Sequence, residues 1–146
     1  MMSEAGLQRL RTDEEYERFA YDDKTARRVR APLGNLTIGY GTNLDVGITN
    51  DEAEFLMIMR VIDSEEKIIE SYPPFVTWPA VQRDILTMID YNTGNALAWT
   101  NLINSIASGA PIIRQANNVR DSLAWRSTLT RPRYERFAQA IIYGHW

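Results

Sequence analysis

The chain contains no cysteine, which excludes a disulfide scaffold, a thiolate-bound metal and a thiol nucleophile. It has one histidine, His145, beside the last residue. A histidine-based triad or a histidine-rich metal site is therefore not expected, and neither is a metal or cofactor. No apolar run approaches the ~18 residues needed to span a bilayer, so no stable membrane insertion is expected. The N-terminal MMSEAGLQRLRTDEE is polar and lacks the apolar core of a signal peptide. Synthesis in the cytoplasm is expected, with any export needing outside help. Excess basic charge is also missing: 16 Lys and Arg stand against 19 Asp and Glu, so a nucleic-acid partner has no support.

What remains is a chain of 146 residues, long enough for one domain or two lobes around a connecting element. Its hydrophobic share of 45% is enough to build a folded core. Charge is unevenly spread. Residues 1–72 carry 9 basic and 15 acidic side chains, a net of −6, and residues 73–146 carry 7 and 4, a net of +3. An acidic lobe and a basic lobe are expected, although an ordinary solvated surface explains the asymmetry equally well.

The helical pattern begins at residues 3–18, where Leu7, Leu10 and Glu14 share one face at i, i+3 and i+7. Glu15 and Glu17 fall off that face and read as solvated. Residues 19–22 break the pattern. Residues 24–35 hold Lys24, Arg27, Arg28 and Arg30 followed by Pro32 and Gly34, which reads as an exposed loop or a long hairpin arm. Residues 36–41 (LTIGYG) read as a short strand, and Gly39 and Gly41 within it suit a bend or close backbone approach. Thr49 and Glu52 form a capping box that opens the longest helix, about 50–71, with Phe55, Ile58, Met59, Ile62 and Ile69 as its apolar stripe. Further helices are predicted over about 78–92, 95–107, 111–122 and 132–143. Val81, Ile85, Met88 and Ile89 point inward from the first of these, and Tyr134, Phe137, Ala138 and Ile141 from the last. The fold class is α+β, dominated by helix.

With thiols and imidazoles set aside, carboxylates are the candidate reacting groups. Glycoside hydrolysis needs two, one protonated and one ionised, on opposite sides of the bond. A carboxyl placed among apolar groups suits the first role and one in a wetter place the second. Glu14, on the apolar stripe, suits the acid. Asp23, beside a basic loop, suits its ionised partner, with Asp22 as the alternative. Carboxylates nine residues apart are common, and spacing alone does not separate this reading from a solvated surface.

The surrounding residues do more. From about Leu7 to Trp146 the chain resembles the phage-type (T4-like) lysozymes. Glu14, then Tyr21-Asp22-Asp23, then Gly34-Asn35-Leu36, then Thr37-Ile38-Gly39-Tyr40-Gly41 occur in the family's order. Ile48 to Glu54 looks like the start of its long inter-lobe helix, and Gln82 through Gly94 like its central helix. Trp99-Thr100, Trp125 and Arg133 to Arg136 resemble its later landmarks.

The resemblance implies a two-lobed domain: a small β-hairpin lobe over about 12–50, an inter-lobe helix over about 50–71, and a helical lobe over about 72–146 that includes the N-terminal helix. The substrate cleft would lie between the lobes. It also implies a muramidase acting on peptidoglycan, with Glu14 as general acid, Asp23 directing water and Thr37 holding it, and an inverting outcome. Asn92, Arg133 and Tyr40 would bind substrate, and Arg133 would pair with Glu14. The protein would act as a monomer on the bacterial wall, released by a holin or carried in the virion. A lytic transglycosylase, or a non-catalytic wall-binding virion protein, is the alternative.

Some features depart from the family. Glu15 replaces the usual Gly, Thr42 replaces a frequent His, and Arg133 matches only with a one-residue shift from Trp125. Thirteen residues, 24–36, separate Asp23 from Thr37, more than in the family. The basic side chains in that insertion suit either anionic peptide stems or plain solvent. Trp78, Trp99, Trp125 and Trp146 suit stacking on sugars, but most of them read as core or lobe packing groups.

Overall fold

A computed structural model describes residues 1–14, 16–22, 27–29, 37–38, 42–122, 128 and 130–146, with Asp22 and Thr37 described by their backbone alone. Among these residues the protein is mostly helical. The chain forms two compact units: Met1–Asp13 with Arg60–Trp146, and Glu14–Met59.

In the first unit, α1 (Glu4–Glu14) starts at Ser3, whose hydroxyl oxygen accepts the Gly6 N–H at 3.0 Å and so satisfies one of the helix's open donors. The centre of the unit is α3 (Ala80–Thr93). Nine of its residues are buried, Ile85, Leu86 and Ile89 completely, as expected of a helix enclosed on every side. Each such side chain contributes about 1.5–3 kcal/mol of burial free energy. Gly94 ends α3 at φ 67°, a left-handed conformation that glycine adopts without a side-chain penalty.

Short helices α4 (Thr100–Ala107) and α5 (Ile112–Arg120) follow, then α6 (Arg131–Tyr143). α5 packs on both α4 and α6, and α6 returns to α3. The predicted inward residues of α3 and α6 are all buried. Trp78 packs against Tyr72 and Phe75, Trp99 stacks parallel on Tyr134 at 5.3 Å, and Trp146 meets Phe137 edge-on. These three tryptophans are packing groups, as expected.

Asp84, 1% exposed, ties residues distant in sequence to the middle of α3. Its carboxylate accepts the Ser3 N–H at 2.9 Å, the Ser3 hydroxyl, and the Trp146 indole N–H at 3.0 Å. Gly6 passes so close that an added Cβ would sit 2.5 Å from an Asp84 oxygen.

The second unit holds two small antiparallel ladders. β1 (Tyr21–Asp22) pairs with β2 (Arg27–Arg28), and β3 (Thr37–Ile38) with β4 (Thr42–Asn43). The predicted basic arm is thus a hairpin strand at Arg27 and Arg28, and the predicted 36–41 strand has its return partner at Thr42–Asn43. Gly39, Tyr40 and Gly41 lie outside the described residues.

α2 (Asn50–Ser71) opens in the second unit and continues into the first. Its capping box forms as predicted: the Thr49 hydroxyl oxygen accepts the Glu52 N–H at 3.2 Å, and the Glu52 carboxylate accepts the Thr49 N–H at 2.7 Å.

Three expectations need correction. The first helix ends at Glu14 rather than residue 18. Beyond it the backbone turns to the 44–48 loop, where the Arg18 carbonyl accepts the Ile48 N–H at 2.8 Å and the Tyr16 hydroxyl donates to the Ile48 carbonyl. The apolar stripe of α2 is rotated. Its buried face is Met57, Val61, Ser64, Glu65 and Ile68, whereas Phe55 is 63% exposed and Met59 41%. A helix with apolar residues on several faces leaves the choice of face to its neighbours. The predicted 95–107 helix is also broken into a 3-10 turn, Ala96–Ala98, and α4. The buried Asp90 carboxylate captures the Ala96 N–H at 2.9 Å and sets up that turn.

Candidate active site

Glu14 is the last residue of α1, and its Oε1 is shielded from solvent. The residue before it, Asp13, is held by two arginines. Asp13 has a side chain only 3% exposed, and its Oδ1 accepts from the guanidinium groups of Arg9, one turn earlier, and Arg136, on α6. The Asp13 backbone carbonyl accepts from Arg133 Nη2 at 3.1 Å. This last turn of α1 carries an unsatisfied helical carbonyl, and a cation there also complements the negative end of the helix dipole.

Arg133 is shared. Its Nη1 donates to Asn92 Oδ1, and Asn92 Nδ2 donates back to the Met88 carbonyl at 2.9 Å. Two of the expected substrate-binding residues, Asn92 and Arg133, are therefore brought together, and both ends of the Asn92 amide are engaged within the first unit. Arg9, Asp13, Arg133 and Arg136 carry a formal charge of +2 between them. Three buried atoms of this cluster, Arg9 Nε, Asp13 Oδ2 and Arg136 Nε, have no hydrogen-bond partner among the described residues.

Sequence reasoning missed Asp13, Arg9 and Arg136. The four-residue spacing of Arg9 and Asp13 on a helix is a legible pairing signal. The partner from Arg136, 123 residues away, has no local signature.

In the second unit, Thr37 stands opposite Asn43 across the β3–β4 ladder. Asp22, the alternative second carboxylate, stands opposite Arg27. Asp23 and Tyr40 lie outside the described residues, as do Glu15, Lys24, Arg30 and Trp125. Of the basic arm, Arg27 and Arg28 are exposed. The Arg28 guanidinium lies 3.6 Å from the Phe19 ring centroid, a cation–π contact, and donates to the Asp45 carbonyl. Arg28 is thereby a structural residue of this unit.

Two shifted groups lie on this framework. Hydrogen bonds from the Thr49 N–H and hydroxyl hold the Glu52 carboxyl below its ordinary range. Burial raises the Tyr134 phenol above its ordinary value, with Arg133 opposing the shift. Among the described residues no three His, Asp or Glu side chains gather in a way that would hold a metal ion. No described helix is long and apolar enough to cross a membrane. Neither a family model nor a curated protein matches the chain.

Proposed function

We propose that the protein is a peptidoglycan hydrolase, a muramidase that cleaves the β-1,4 bond between N-acetylmuramic acid and N-acetylglucosamine. Glu14 gives its proton to the glycosidic oxygen, and Asp23 directs a water onto the anomeric carbon from the opposite face. The Thr37 hydroxyl holds that water. This is the inverting arrangement, which requires carboxyl groups about 6.5–9.5 Å apart. Asn92, Arg133 and Tyr40 contact the glycan. The same proposal covers the finer fold, a two-lobed lysozyme-like domain whose small lobe carries the hairpins, and the setting, a bacterial wall reached after holin-dependent release or from a virion.

The observation that carries this reading is the end of α1. A carboxylate with one oxygen shielded from solvent closes the helix, directly after an aspartate clamped by two arginines. An acid that must hold and deliver a proton at one place benefits from such a rigid mount. The succession of elements is consistent with it: a helix ending in Glu, two short hairpins, a long capped helix and a helical unit.

Clearing of purified peptidoglycan tests the assignment. Glu14→Gln should abolish clearing, with a loss of at least ~10²–10⁴-fold, the usual contribution of general acid–base catalysis, and leave helix content unchanged. Near-normal clearing by this variant would remove Glu14 from the mechanism.

A further inference from the structure

Three exposed apolar side chains of the second unit sit together near the start of α2. Phe55 is 63% exposed, Leu56 53% and Met59 41%, and none belongs to the buried face of Met57 and Val61. A groove of about 350 Å³ runs beside them, lined by Thr42, Ile48, Asp51, Glu52, Phe55 and Leu56. Ile38, 59% exposed, stands directly opposite Thr42 in the β3–β4 ladder, so the two side chains share a face of it. Exposed apolar residues scattered singly are ordinary, whereas a group of them rimmed by polar side chains marks a surface that docks something.

The rim is acidic at both ends. Asp51 and Glu52 line the groove itself. The Asp51 carboxylate has no hydrogen-bond or ion-pair partner among the described residues. Glu52 is held by the neutral N–H and hydroxyl of Thr49, which leave its charge uncompensated. Beyond Met59 the same side of the helix continues, at steps of four and three residues, with Asp63 and Glu66, both exposed. Arg60 lies about 100° around the helix from Met59. Lys67, the other cation of α2, is bound to the Asp90 carboxylate and the Gly94 carbonyl.

We propose that this side of α2 docks an amphipathic helix of another protein, apolar along one stripe and carrying lysine or arginine at its margins. A helix fits because Phe55, Leu56 and Met59 form a short ridge at helical spacing, which the apolar stripe of a second helix packs against at about 8–10 Å between axes. Phe55, a large aromatic beside a groove, is the natural anchor. Basic margins fit because acids flank the apolar residues in both directions along α2. A second copy of this chain fits poorly. Antiparallel pairing through this face sets Asp51 and Glu52 of one copy against Asp63 and Glu66 of the other, and parallel pairing sets each acid against itself. An anionic lipid surface is repelled for the same reason. The surface uses none of Glu14, Asp23 or Thr37, so the inference stands apart from the muramidase reading.

The test starts from a displayed library of helical peptides of about 14 residues, the usual length of a protein helix. It is selected on the immobilised full chain, with the Phe55→Ala chain as counter-target. Enriched peptides are expected to carry apolar residues at i, i+3 or i+4 and i+7, with Lys or Arg beside that stripe. The tightest of them, titrated into the isotope-labelled full chain and followed by NMR, should give saturable shifts at the Ile38, Leu56 and Met59 methyl groups and the Phe55 ring. Phe55→Ala, at an exposed position whose loss leaves the fold intact, should weaken that binding by about tenfold or more. Asp51→Lys should weaken it roughly threefold and flatten its dependence on salt. No enrichment over the counter-target, enriched peptides without basic residues, or shifts that avoid these four residues would each overturn the inference. So would a concentration-dependent dimer of the native chain, seen by sedimentation and lost in Phe55→Ala, which would give the face to self-association. Binding of phosphatidylcholine vesicles that Phe55→Ala abolishes would give it to lipid and overturn the inference equally.

Discussion

Asp84 is the most informative single position for the stability of the helical unit. It is a carboxylate, 1% exposed, that accepts three hydrogen bonds from neutral donors, with no ion pair to a cation among the described residues. Hydrogen bonds to a charged group contribute about 1.5–3 kcal/mol each, giving a gross sum of roughly 5–9 kcal/mol. The desolvation of the buried carboxylate opposes this by several kcal/mol. Asp84→Ala is therefore expected to cost about 2–4 kcal/mol, a large part of the ~5–15 kcal/mol that holds a typical domain folded.

A double-mutant cycle separates the bonds from the burial. Trp146→Phe removes the indole N–H while keeping an aromatic ring against Phe137. Urea unfolding at neutral pH, followed by far-UV circular dichroism to avoid losing a fluorophore, gives the four stabilities. Trp146→Phe should cost about 1.5–3 kcal/mol alone and much less in the Asp84→Ala background, leaving a coupling of at least ~1 kcal/mol. Strictly additive effects would refute the claim that this carboxylate binds Trp146 to the core.

Other consequences follow from particular contacts. Ile68→Ala, at a fully buried position, should cost about 2–5 kcal/mol in chemical unfolding, while Phe55→Ala, 63% exposed, should stay within about 0.5 kcal/mol; the reverse order would restore the stripe read from sequence. The Glu52 carboxyl is depressed below its ordinary 4.5, so its contribution is fully present above that pH and is lost as pH falls through the lower folded value. Glu52→Gln should therefore lower the thermal midpoint at pH 7 and make progressively less difference toward pH 3, and a pH-independent difference would contradict the capping box. Arg136→Ala leaves the 3%-exposed Asp13 side chain with Arg9 alone, and because Arg136 is itself 38% exposed the expected cost in urea unfolding is about 1–2 kcal/mol, with no change arguing against the clamp.

The helices were legible where local chemistry is decisive. The Thr49–Glu52 box and the Tyr72-Pro73-Pro74 stop place α2 without tertiary information, and Gly94 and Gly144, both left-handed, end α3 and α6. What was not legible depended on distant partners. The face that α2 buries is set by tertiary packing rather than by its own pattern, because its sequence offers apolar residues on more than one side. The first helix stops at Glu14 because Tyr16 and Arg18 bond to Ile48 instead, a pairing about thirty residues away. In the candidate site, Glu14 is legible as a candidate from its stripe and its motif, whereas the clamp on Asp13 depends on Arg136, 123 residues away. Asn92 and Arg133 are each legible singly, and nothing in their spacing of 41 residues announces that they hydrogen-bond.

The muramidase proposal is tested most directly by the products the protein releases from purified sacculi, read by mass spectrometry. Hydrolysis adds water across the bond, so the account predicts muropeptides with a free reducing-end N-acetylmuramic acid, and none from the Glu14→Gln variant. Anhydro-sugar ends would instead assign a transglycosylase. Intact glycan strands after prolonged incubation with the native protein would contradict an enzymatic role for Glu14.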